Sequence, residues 1–138
     1  MNKYHIILVE DHPDDEFLTL HALRKHAITN VSVMREVKQA FDLLLVEGTG
    51  KGSRLPDLIV LDLRLPKIDG FEFLETIRSD RRTHHIPVVI LSSSRQDKDL
   101  ERCRRLGVEA FITKPLDVDK IHLLKQILER HPPYSPQD

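Results

Sequence analysis

Several things are missing from this sequence, and each absence excludes a class of protein. A single cysteine, Cys103, stands among 138 residues, so the chain can close no internal disulfide and build no cysteine-rich zinc site. A lone thiol also fits a reducing compartment. No surplus of positive charge exists: 21 basic residues meet 22 acidic ones, for a formal net charge of −1. Non-specific binding to nucleic acid requires a phosphate-neutralising excess of Lys and Arg, so no nucleic-acid partner is expected. Long apolar runs are absent too. The N-terminal stretch reaches only Ile6-Ile7-Leu8-Val9 before Glu10 and Asp11, too short for a signal-peptide core. No later run approaches the ~18 apolar residues of a membrane helix. No His-Glu-x-x-His pattern occurs despite eight histidines, and no internal repeat is visible. The expectation is a soluble cytoplasmic protein with no membrane partner.

What is present is enough apolar residue for a core, since Leu, Ile, Val and Phe make up a third of the chain. Three short runs, Ile6 to Val9, Leu58 to Leu61 and Val88 to Leu91, do not alternate apolar with polar and read as strands buried on both faces. Val31 to Met34 and Ala110 to Ile112 are weaker strand candidates. Helical spacing fills the gaps: Val37, Ala40, Phe41 and Leu44; Phe73, Leu74 and Ile77; Val118, Ile121, Leu124 and Leu128. Pro13 fits a first helical turn, with Asp14, Asp15 and Glu16 placed well against the helix dipole. Five alternations of strand and helix predict a doubly wound, five-stranded parallel α/β sheet with helices on both faces. Residues 48–56, with three of the five glycines, read as a connector rather than a Walker loop, because they precede a strand and lack the spacing. One domain is expected over 1–131, followed by a flexible tail over 132–138 and no output domain.

In an open parallel sheet, ligands bind beyond the carboxyl ends of the strands. Those positions hold Glu10-Asp11, Asp62, Ser92-Ser93-Ser94 and Thr113-Lys114-Pro115. Glu10 and Asp11 alone are as readily explained as helix-dipole partners. Asp62 is different, since an ionised carboxylate ending a buried strand is costly without a cation. Clustered carboxylates repel one another, and hard oxygen ligands with no His or Cys suit Mg²⁺. A carboxylate beside a divalent ion, an ammonium and a hydroxyl can accept a phosphoryl group.

The elements Val9-Glu10-Asp11, Leu61-Asp62-Leu63-Arg64-Leu65-Pro66-Lys67-Ile68-Asp69-Gly70, Pro87 to Ser93 and Phe111-Ile112-Thr113-Lys114-Pro115 occur in order, with 51, 30 and 22 residues separating Asp11, Asp62, Ser92 and Lys114. In this the chain resembles the receiver domains of two-component response regulators from about Tyr4 to Arg130. It is similar in particular to stand-alone receivers associated with bacterial phytochromes. The resemblance implies a flavodoxin-like (βα)5 fold and a phosphorelay role, not that of an enzyme beyond self-phosphorylation from a phosphodonor and slow autodephosphorylation. It implies Asp62 as phosphoacceptor, Ser92 as switch hydroxyl, Lys114 as phosphoryl partner and Phe111 as switch aromatic. It further implies Mg²⁺ held by Asp11 directly, Glu10 through water, Asp62, and the backbone carbonyl of Arg64. The Lys114–Pro115 bond would be cis, and Gly70 would relax the turn after the acceptor. Ser92 stands in place of the more usual threonine and Phe111 in place of tyrosine, so no phenolic hydrogen bond locks the switched rotamer.

The implied partner is a sensor histidine kinase such as a bacteriophytochrome, or a phosphotransfer protein. Arg64 and Ser94, each two residues beyond a site residue, are expected to tune dephosphorylation by shielding or ordering water. Two other readings compete: a pseudo-receiver scaffold, and an aspartyl-phosphate hydrolase. The hydrolase expects an aspartate where Arg64 stands, and the complete set Glu10, Asp11, Asp62, Ser92 and Lys114 argues against the scaffold. Homodimerisation is expected through the fourth helix, fifth strand and fifth helix, with Leu123 and Ile127 as an exposed apolar ridge. His84-His85 reads as a solvated loop, and Cys103 as a small helical hydrophobe.

Overall fold

The computed structural model of the chain describes residues 4–46, 55–63, 70–92 and 97–130. Residues 48–54, Arg64, Ser94 and the tail over 132–138, on which several expectations fall, lie outside the described residues.

Five strands form, at Ile6–Val9 (β1), Val31–Met34 (β2), Leu58–Leu61 (β3), Val88–Ser92 (β4) and Ala110–Thr113 (β5). Helices intervene at Pro13–Lys25 (α1), Val37–Phe41 (α2), Gly70–Ser79 (α3), Asp97–Arg105 (α4) and Val118–Arg130 (α5). The sheet is parallel throughout, in the order β2-β1-β3-β4-β5. This is the expected doubly wound fold.

The continuous apolar runs follow from two-sided burial. On one face Ile7, Val9, Ile59, Leu61, Val88 and Ile90 pack under α2, α3 and α4. On the other Ile6, Leu8, Leu58, Val60, Val89 and Leu91 pack under α1 and α5. A residue of either parity therefore meets a core, and no polar side of the strand is left to write into the sequence. Cys103 is buried in the first core, as a small hydrophobe would be, and Arg102 beside it stacks on Phe71 at 4.2 Å. His84 and His85 are exposed in the turn before β4.

Several details differ from what the sequence suggests. The helical stretch from Val37 does not stay α-helical: it widens into a π-helical turn over Asp42–Val46 while still burying Leu44. Gly70 is needed for contact rather than for an unusual dihedral. It opens α3 against the backbone of Leu63, and a Cβ there would sit 2.8 Å from Leu63 Cα. α1 ends in a Schellman motif, with Ile28 N–H on Leu23 O at 2.9 Å and Ala27 N–H on Arg24 O at 3.0 Å. Its left-handed position is Ala27, at φ 67°, where α4 uses Gly107 at φ 73°.

The apolar ridge expected on α5 is not there. Ile127 is fully buried in the core under α1 and α5, and Leu123 is half-buried against the same core. The reason is the width of the contact. Ile121, Leu124, Ile127 and Leu128 all bury, an i, i+3, i+6, i+7 set spanning roughly 120° of the helix. Ile127, which a narrower stripe would leave outside, is inside that arc.

Candidate functional site

Register aligns the strand ends. Val9 pairs with Leu61, Leu61 with Ile90, and Ile90 with Phe111. Glu10 and Asp62 therefore follow β1 and β3 side by side, at the point where strand order reverses, and Ser92 and Lys114 close the row from β4 and β5. The backbone ties these ends together: Glu10 N–H donates to Met34 O at 2.9 Å, Asp62 N–H to Val9 O at 3.1 Å, and Lys114 N–H to Ser92 O at 2.8 Å. Ser92 is buried at the end of its strand. Phe111 is half-buried and packs on the core beneath α3 and α4. The Lys114–Pro115 bond is cis.

At the centre stands the Lys114 ammonium. Its Nζ donates to Glu10 Oε1 at 2.8 Å, Asp15 Oδ2 at 2.8 Å and Asp62 Oδ2 at 3.2 Å. All three of its protons are thereby used on carboxylates. Although burial alone would lower its pKa, the Asp15 and Glu10 hydrogen bonds and the nearby Asp62 charge hold it above the ordinary lysine value. Glu10 is fully buried. Burial, with the neighbouring Asp62 adding to it, raises its carboxyl to about 7 against the pull of the Lys114 hydrogen bond. Its second oxygen accepts weakly from His12 N–H at 3.3 Å.

Glu10, Asp11 and Asp62 each place an oxygen within 4.8 Å of the others. With Asp15, four carboxylates gather around a single lysine that contacts three of them, and Glu10 carries a raised pKa chiefly because it is buried, with Asp62 adding to the rise. A donor set made only of hard oxygens, short of positive charge, fits a divalent cation of the Mg²⁺ or Mn²⁺ kind.

The structure thus brings together the predicted Glu10, Asp11, Asp62 and Lys114. Asp15 joins them unannounced. Read as a dipole partner in the sequence, it lies in the first turn of α1, with its own N–H on the capping His12 Nδ1 at 3.4 Å, and its carboxylate turns to Lys114. The available signal was position: the first turn of a helix that follows a strand directly stays over the sheet edge. Arg64 and Ser94 lie outside the described residues.

No helix among the described residues is long and apolar enough to cross a membrane. The family model of the response regulator receiver domain matches residues 6–126. The chain is 33% identical over 125 residues to the response regulator Rcp1 of Synechocystis sp., covering 90% of this chain and 85% of that one. The solved Mn²⁺-bound form of Rcp1 aligns with a TM-score of 0.73 at 32% identity, over 90% of this chain and 91% of its own. A phosphorylated cyanobacterial phytochrome response regulator, RcpA, aligns with a TM-score of 0.76 at 37% identity, over 93% of each chain. The bacteriophytochrome response regulator AtBRR aligns with a TM-score of 0.79 at 40% identity, over 97% of this chain and 98% of its own.

Proposed function

Since the chain belongs to the response regulator receiver domain family of two-component signalling, we infer that it accepts a phosphoryl group on Asp62 from a histidine kinase and changes its partner surface in response. The observation that carries this reading is Lys114 Nζ bound to Glu10, Asp15 and Asp62 together, at 2.8, 2.8 and 3.2 Å. An ammonium so placed can follow negative charge wherever it moves among these oxygens. Asp62 attacks phosphorus through a carboxylate oxygen. The new O–P bond forms as the P–N bond to the donor imidazole breaks, and the imidazole nitrogen keeps that electron pair. Lys114 then exchanges a carboxylate for a phosphoryl oxygen, and Ser92 donates its hydroxyl to another. Phe111 rotates inward as Ser92 moves. Glu10, Asp11 and Asp62, with the Arg64 carbonyl, would hold Mg²⁺, which supplies positive charge to the transferring oxygens. A family relative whose structure is described as Mn²⁺-bound supports a divalent ion here.

The proposed phosphodonor is a sensor kinase of the bacteriophytochrome kind, or a phosphotransfer protein; the similarity to RcpA and AtBRR supports it. Its docking face would be α1 and the start of α5. Phe17, Leu18 and Val118 are exposed there, and a groove lined by Leu18, Pro115, Leu116 and Val118 borders the lysine loop. Arg64 and Ser94 remain proposed tuners of phosphoryl lifetime. Pairing of two copies through α4, β5 and α5 would rest on half-buried Leu123 and Phe111 and on the polar rim, without Ile127.

The test is phosphorylation by acetyl phosphate with Mg²⁺, read as intact mass. A single phosphoryl adduct is expected. No adduct would favour the scaffold reading, and catalytic consumption of small phosphoesters would favour the hydrolase. For the donor face, Leu18→Asp should slow transfer from a kinase while leaving acetyl phosphate labelling as in the wild type.

A further inference from the structure

A lysine occupies the first turn of α5, where its positive charge works against the helix dipole. The side chain of this residue, Lys120, does not extend into solvent. Its Nζ donates to Thr113 O at 2.6 Å and to Pro115 O at 3.1 Å. Those two carbonyls flank Lys114, the residue on which the whole site turns.

The surroundings explain why such a clamp matters. β5 ends at Thr113, and the last strand-to-strand tie in this region is Lys114 N–H on Ser92 O at 2.8 Å. Beyond it no sheet partner among the described residues fixes the direction in which the Lys114 side chain leaves the backbone. Lysine side chains are long and lose much rotamer freedom when held in one place. Lys120 is itself anchored. Its N–H donates to the side chain of Asp117 at 3.1 Å, and its ammonium lies 3.8 Å from the other Asp117 oxygen. The same Asp117 offers its carbonyl to Ile121 N–H at 2.9 Å. A continuous set of bonds thus runs from the first turn of α5 to the backbone on both sides of Lys114.

We propose that Lys120 is a positioning residue: its ammonium, bridging the carbonyls of Thr113 and Pro115, fixes the backbone that aims Lys114 at the phosphoacceptor. This rests on the reading of Asp62 as that acceptor. It also makes the seating of α5 part of the reaction, since any shift of its first turn moves the clamp.

The experiment is a time course of acetyl phosphate labelling with Mg²⁺, by intact mass, on the full chain in four forms: wild type, Lys120→Met, Lys114→Ala and the double variant. Methionine keeps the length of the side chain without its charge or donors. Lys120→Met should label more slowly than wild type by a factor of roughly 3–30, the scale on which small misplacements of a reacting group act. In the Lys114→Ala background the same change should add less than about a twofold effect, because a residue acting through Lys114 has nothing left to act on. Lys120→Arg, which restores donors to both carbonyls, should recover most of the lost rate. Urea unfolding of Lys120→Met, followed by circular dichroism, checks that it is folded under assay conditions. Equal labelling of folded Lys120→Met and wild type would overturn the proposal, and so would an undiminished effect in the Lys114→Ala background. If Lys120→Met fails to fold, Lys120→Gln takes its place in the same cycle. Failure of the wild type to label would instead strike the assignment of Asp62, leaving the two failures distinct.

Discussion

Replacing Glu10 by glutamine in the metal-free protein isolates the cost of ionising a carboxyl buried in the site. Glu10 is fully buried, with one oxygen on the Lys114 ammonium at 2.8 Å. Burial, aided by the neighbouring Asp62 and opposed by Lys114, raises its pKa from 4.5 to about 7. The folded protein therefore binds this proton more tightly than the unfolded chain does. The resulting stability is fully present below about pH 4.5 and is lost as pH rises through about 7. At roughly 1.4 kcal/mol for each tenfold change in proton affinity, the full contribution is about 3 kcal/mol. Glutamine keeps the volume and an oxygen that can accept from Lys114, but it carries no charge at any of these pH values. Urea unfolding in EDTA, followed by far-ultraviolet circular dichroism because the chain has no tryptophan, gives stability at each pH. Subtracting the variant from the wild type cancels the titrating groups that do not interact with Glu10. The difference should shift by about 3 kcal/mol against the wild type between pH 4.5 and 8. Saturating Mg²⁺ should recover most of that loss for the wild type above pH 7. Parallel stability profiles in EDTA, within about 0.5 kcal/mol, would refute the reasoning.

Other elements make independent predictions. Arg78 reaches from α3 to four carbonyls, Leu106 at 2.9 Å, His84 at 3.1 Å, Ile86 at 2.8 Å and Gly107 at 3.1 Å. Arg78→Ala should cost about 2–4 kcal/mol in urea unfolding, and Arg78→Lys more than half of that, because one ammonium cannot span the fork. Ala27→Gly should raise stability by about 0.5–1 kcal/mol, since φ 67° carries a Cβ penalty that glycine lacks; a lowered melting temperature would contradict it. Gly70→Ala should lose about 1–3 kcal/mol and slow labelling of Asp62, because the new Cβ meets the Leu63 backbone at 2.8 Å, one residue beyond the acceptor.

The sheet was legible in the sequence because burial on both faces leaves unbroken apolar runs, and Leu58 to Leu61 ending in Asp62 is the clearest of them. β2 and β5 were fainter for a physical reason: they are the two edges of the sheet, and most of their residues are only half-buried. The site was legible where a charge was out of place, as at Asp62. Asp15 was hidden because a carboxylate in a first helical turn already has an ordinary explanation, and the Lys114 contact links residues 99 positions apart. Lys120 carried the opposite signal, a cation in a first turn, which no helix-dipole argument accounts for. Ile127 went wrong because helical periodicity gives directions around an axis but not the width of the surface that the helix meets. Nothing in residues 42–46 marks the π-helical turn in a form that periodicity can detect.

In the proposed mechanism one carboxylate, Asp62, takes the phosphoryl group in the setting that Lys114 and the neighbouring acids provide. Its most direct measurement is the intact mass of the wild type and Asp62→Asn after incubation with acetyl phosphate, each with Mg²⁺ and with EDTA. One phosphoryl adduct is expected on the wild type with Mg²⁺, none with EDTA, and none on Asp62→Asn under either condition. A phosphoryl adduct of wild-type stoichiometry on folded Asp62→Asn would contradict it.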